Sequence, residues 1–146
     1  MHNKYDNIDL MILQAMKNKQ PVRVKTYRAI KSEIQALKTA KNAKPYDEIA
    51  EITLLKKMRD QRVDSAIEYQ SAGREDLSNI ETEESIILDE LIPVEPTTKD
   101  IEDWLENNNY HTISKKEMGV VIKEIKSKFP SANGKIVAEI VKKLVV

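Results

Sequence analysis

Apolar residues recur along this chain at the three-to-four-residue step of an amphipathic helix, and the pattern divides into seven helices. Ile8, Met11, Ile12 and Ala15 mark the first, which ends near Lys17-Asn18-Lys19. Pro21 suits the opening turn of the second, where a missing N–H costs nothing, and Tyr27, Ile30, Ile34 and Leu37 form its stripe. Pro45 breaks the chain, and Asp47 is placed to cap a longer helix through Ile49, Ile52, Leu55, Met58, Val63, Ala66 and Tyr69. Gly73 closes that helix as a left-handed residue. The fourth stripe, Leu77, Ile80, Ile87, Leu88 and Leu91, is interrupted at Glu84 and stops before Pro93.

Two prolines within Ile92-Pro93-Val94-Glu95-Pro96 forbid helix continuation and favour extended backbone. The expected organisation is an N-terminal helical domain over residues 1–92, a linker at 93–96 and a small three-helix domain over 97–146. Thr97 with Asp100 resembles a capping box and opens a helix whose inner face is Ile101, Trp104 and Leu105, with Trp104 as the core anchor. Asn107-Asn108-Asn109 stops it. Ser114 and Glu117 form a Ser-x-x-Glu box ahead of Met118, Val121, Ile122, Ile125 and Phe129, and Pro130 ends that helix. Asn133 caps the last one, whose Val137, Ile140, Val141 and Leu144 stripe is expected to run to the C-terminus.

Composition narrows this picture to an all-α protein. Three glycines in 146 residues fall well below the usual ~7% and argue against sandwiches, barrels and Gly-rich nucleotide loops. The absence of cysteine removes disulfides, thiolate nucleophiles and Cys-type metal sites. No apolar run approaches the ~18–20 residues of a membrane span, and Met-His-Asn-Lys-Tyr-Asp lacks an apolar signal core. A soluble, cytoplasmic protein without membrane attachment is expected.

Charge is balanced overall, with 24 basic and 24 acidic residues, but it is locally separated. Residues 17–44 carry nine cations against Glu33 alone, a net charge of +8, whereas residues 60–90 carry −8 and residues 115–143 return to +5. Such fields steer a polyanion to one side of a molecule and repel it from another. On the second helix Lys25, Arg28 and Lys31 follow one face, opposite in register to Tyr27, Ile30 and Ile34. That spacing can track a phosphate backbone, and equally it can be a solvated face.

In order along the chain, Ala15-Met16-Lys17-Asn18-Lys19, Val24-Lys25-Thr26-Tyr27-Arg28-Ala29-Ile30-Lys31-Ser32, Arg62-Val63-Asp64-Ser65, Ala72-Gly73-Arg74-Glu75-Asp76-Leu77, Leu91-Ile92-Pro93, Met118-Gly119 and Asn133-Gly134-Lys135 resemble the successive signatures of the YqeY-like family. That family is similar to the C-terminal tail domain of the B subunit of glutamine-dependent aspartyl/glutamyl-tRNA amidotransferases. The resemblance implies a larger N-terminal helical bundle, a small C-terminal three-helix domain and a role in holding tRNA. Two positions depart from the family pattern: Val120 stands where Lys commonly follows the Met-Gly pair, leaving Lys123 and Lys126 as the nearest cations, and Asn133 replaces Asp. The large domain that carries amidotransferase chemistry has no counterpart in this chain.

The remaining features admit two readings each. Gly119, inside a strong helix where it costs ~1 kcal/mol against Ala, implies a close neighbour, either the last helix or an RNA backbone. Gly134 and Lys135, at a helix start, read as a turn or as an anion site. Lys56, Arg59 and Arg62 read as ion-pair partners of the acidic fourth helix or as a second RNA strip. Arg74-Glu75-Asp76 reads as a turn with Asp76 as cap. Catalytic chemistry has no seat. His2 and His111 pair with no carboxylate at helical spacing, and the adjacent carboxylates Glu83-Glu84 and Glu102-Asp103 do not share a face. Neither a metal nor a cofactor is expected.

The sequence therefore leads to a noncatalytic protein that binds tRNA or another structured RNA, or docks on the translation machinery that handles it. The expected contacts are Lys25, Arg28, Lys31, Lys123, Lys126 and Lys135, with Gly119 and Gly134. The alternatives are a protein–protein adaptor using the final apolar stripe and the acidic fourth helix, and a carbon–nitrogen ligase with glutamine as amido-N donor.

Overall fold

A computed structural model describes residues 7–146. Those residues form seven α-helices: α1 (Ile8–Lys17), α2 (Pro21–Thr39), α3 (Glu48–Ser71), α4 (Glu75–Leu91), α5 (Thr98–Asn107), α6 (Met118–Lys128) and α7 (Gly134–Lys142). The expected all-α class holds. The chain divides into two compact units, one ending at Ile92 and the other running from Pro93 to Val146.

Local chemistry accounts for most helix boundaries in the first unit. Pro21 occupies the first position of α2, and the Asp47 side chain accepts from the Ala50 N–H to cap α3. At the end of α3, Gly73 takes φ +74°, its N–H reaches the Gln70 carbonyl, and the Arg74 N–H reaches Tyr69, a Schellman closure. The same closure ends α1, but there Lys19 adopts φ 55°. Asp76 does not cap α4 as expected. Arg74 is the N-cap residue and grips Asp76, two residues on, through two hydrogen bonds of 3.2 Å.

The core of this unit joins Ile8, Ile12 and Ala15 of α1, Val24, Tyr27, Ile30 and Ile34 of α2, Leu54, Leu55 and Met58 of α3, and Ile87 and Leu88 of α4. Nearer the α3–α4 turn the two helices hold each other through buried Ala66 and Ser78, whose hydroxyl donates to the Ala66 carbonyl at 2.8 Å. Val63, read as part of the inner stripe, is exposed.

In the second unit both expected boxes form. Thr97 and Asp100 exchange side-chain and backbone bonds at the start of α5, and Ser114 and Glu117 do so before a single 3₁₀ turn that leads into α6. Ile101, Leu105, Ile113, Val121, Ile125, Val137, Ile140 and Val141 make the core. Trp104 is not its centre: it is partly buried at the edge and stacks on Tyr110 at a centroid distance of 6.0 Å. The last helix stops short of the C-terminus. After Lys142 the chain makes a tighter turn at Lys143 and Leu144, Leu144 accepts from the Ile113 N–H, and Val146 donates back to the Ile113 carbonyl. A backbone pairing partner outside the helix thus wins over one more helical turn.

Candidate nucleic-acid interface

On α2, burial of Tyr27, Ile30 and Ile34 turns Lys25 and Arg28 to the surface, as the register requires. Their partners differ. Lys25 Nζ stands 3.5 Å from Glu84 Oε1 of α4, and Lys31 Nζ is bonded to Asp9 Oδ1 of α1 at 2.6 Å. Arg28 pairs with no carboxylate among the described residues; its guanidinium donates weakly to Met16 Sδ at 3.8 Å. Three arginines of this unit are also engaged. Arg23 pairs with Glu90 at 3.0 Å, Arg59 with Asp89 at 2.9 Å and Arg62 with Glu84 at 3.8 Å. For Arg59 and Arg62 this is the interhelical pairing with the acidic fourth helix.

Glu84 continues the apolar stripe of α4 inward and is buried, with Lys25 and Arg62 on either side. It borders a cavity of about 500 Å³ lined also by Gln61, Asp64, Ser65 and Glu81. Burial, and then the neighbouring Glu84 carboxylate, hold Glu81 above the ordinary carboxylate range. The adjacent pair Glu83-Glu84 does not reveal this i, i+3 pair. Its signal was available: Glu84 breaks a hydrophobic stripe, and Glu81 lies one turn before it.

The second unit presents a different surface. Lys115, Lys116, Lys123, Lys126, Lys128, Lys135, Lys142 and Lys143 come from the box, α6 and α7, and none makes an ion pair among the described residues. Lys123 and Lys135 are exposed. The Lys126 ammonium reaches across to the start of α7, 3.4 Å from where a Cβ on Gly134 would lie. That helix end is already capped, because Asn133 Oδ1 accepts from the Lys135 and Ile136 N–H groups at 2.9 and 3.2 Å. What it offers an anion is therefore two ammonium groups beside a positive dipole end.

Gly119 departs from expectation. A Cβ built there meets nothing within 4 Å, so no helix approaches it and packing does not explain the glycine. His111 is exposed in a shallow cavity with Glu102 and Glu106, and His2 lies outside the described residues. Among the described residues no cluster of His, Cys, Asp or Glu could hold a metal, and no helix is long and apolar enough to cross a membrane.

The description of the YqeY-like proteins matches this sequence over residues 5–145, nearly its whole length. The chain belongs to the YqeY-like family. A search of curated proteins finds no match.

Proposed function

We propose that this YqeY-like protein binds tRNA or another structured RNA by its phosphate backbone and carries out no chemistry of its own, serving as an accessory to the machinery that handles that RNA. The observation that supports this reading best is the absence of any carboxylate partner for the eight lysines between Lys115 and Lys143 among the described residues. Fixed cations without internal partners gain most from a polyanion, because each contact releases condensed counterions. Lys123, Lys126 and Lys135 lead the contact, with the Lys126 ammonium beside Gly134 at the start of α7. Lys25 and Arg28 form a separate set on the first unit, with Lys31 held back by Asp9. Stacking on splayed bases has little part in it, since aromatic residues make up 5% of the chain.

Binding of purified total tRNA to the full chain, measured across a salt series, tests this. The logarithm of affinity should fall linearly with the logarithm of salt, and Lys123→Glu with Lys135→Glu should reduce the slope by about 0.7–0.9 per lost contact. No retention of tRNA at low salt, or a slope unchanged in the double variant, overturns the reading.

A further inference from the structure

The two surfaces expected for a protein partner are not available. The Val137, Ile140 and Val141 stripe of α7 is buried in its own unit, and Glu84, Asp89 and Glu90 of α4 are paired with Arg62, Arg59 and Arg23. A third surface stands open on the outer side of α1. Leu10, Leu13 and Met16, at i, i+3 and i+6, are 57%, 45% and 51% exposed. They form a row about 9 Å long at the 1.5 Å rise of a helix. Met16 also lines a groove of about 700 Å³ between the end of α1 and the start of α2, floored by Pro21 and Val24. Its remaining wall is Gln20 and three cations, Lys19, Lys25 and Arg28, with no acidic residue among its lining.

We infer that this α1–α2 groove docks an acidic amphipathic helix of a partner protein. A ridge of leucine-like side chains at three- or four-residue spacing on the partner would fill the groove and cover Leu10 and Leu13, as ridges enter grooves between helices. Carboxylates flanking that ridge would meet Lys19 and Arg28, and Arg28 pairs with no acid of its own among the described residues. A phosphodiester backbone can use the cations but leaves the apolar floor wet. A flat lipid surface meets the leucine row but bridges over the concavity. Only an occupant carrying both apolar knobs and negative charge satisfies both parts of the surface.

The inference is independent of RNA binding at α6–α7, and the experiment separates the two. The probe is a synthetic peptide of about 20 residues with leucines at i, i+3, i+4 and i+7 and glutamates flanking them. A matched peptide with lysines, and vesicles of phosphatidylglycerol in phosphatidylcholine, serve as comparisons. The full chain should bind the acidic peptide saturably and the basic one at least about tenfold more weakly. Leu13→Ser with Met16→Ser, uncharged changes at exposed positions, should abolish peptide binding while leaving tRNA retention intact. Lys19→Glu with Arg28→Glu should invert the preference toward the basic peptide. Equal binding of both peptides, no saturable binding, indifference to the Leu13 and Met16 changes, or preferential capture by the vesicles would each overturn the inference.

Discussion

Glu84 and Arg62 meet across the α3–α4 hairpin with Oε2 3.8 Å from Nε, and the Glu84 side chain is only 4% exposed. Lys25 approaches the other oxygen from α2. A carboxylate in that position is tolerated through its two cations, so removing one exposes the cost of burying the charge. Arg62→Ala should destabilise the first unit by about 2–3 kcal/mol, less than a fully buried pair would lose because Lys25 remains. Arg62→Ala combined with Glu84→Leu should recover most of that loss. Urea unfolding of the two single variants and the double variant checks the coupling.

Glu81 gives the same cavity a pH dependence. Its folded-state affinity for protons is raised, first by burial and then by Glu84, so the folded chain binds more protons than the unfolded one as pH rises from the acid side. Stability from this group is therefore present when it is protonated and lost as pH rises through its raised folded value. Glu81→Gln should be more stable than the parent at neutral pH and should lack this downward slope. Urea midpoints taken between about pH 4.5 and 7.5 would show it.

Gly119 separates stability from binding. A methyl group there has open space, and Gly in a helix interior costs about 1 kcal/mol relative to Ala. Because Gly119 is the second residue of α6, Gly119→Ala should stabilise the second unit by up to about 1 kcal/mol. If an RNA backbone comes close to this turn of α6, the same variant should weaken tRNA retention while gaining stability, and the two measurements on one protein decide it.

Lys31 and Arg28 make a second contrast. Lys31 is bound to Asp9 at 2.6 Å, whereas Arg28 touches only a thioether. Arg28→Ala should lower affinity for tRNA more than Lys31→Ala does, and Asp9→Asn should bring Lys31 level with Arg28. Titrations at one low salt concentration compare the three.

Lys19 turns the chain from α1 to α2 with φ 55°, a conformation that costs a side chain about 1 kcal/mol and glycine almost nothing. Lys19→Gly should stabilise the first unit by up to about 1 kcal/mol. Thermal unfolding measures it.

Much of this architecture is written in local chemistry. Pro21, Asp47, Gly73, Thr97, Ser114 and Asn133 announce their boundaries because each satisfies or removes a backbone group within a few residues of itself. One expectation that failed depends on a partner distant in sequence, another on a near neighbour. The end of α7 is set by Ile113, some thirty residues earlier, and nothing in the Val137 to Leu144 stripe reveals that pairing. Asp76 is an acceptable cap by type, but Arg74 takes its carboxylate first. The candidate site divides similarly. Spacing alone placed Lys25 and Arg28 at the surface, whereas the partners that distinguish Lys31 from Lys123 come from other helices.

The uneven pairing of lysines gives electrolyte opposite effects on the two halves of the chain. In the first unit, dissolved ions weaken the attractions of Arg23, Lys31 and Arg59 for their acids, so added salt loosens it slightly. In the second, the same ions shield uncompensated lysines from one another along α6 and α7 and relieve their mutual repulsion. The solvent that strips a polyanion from the small unit is thus the one in which that unit, left bare, folds most firmly.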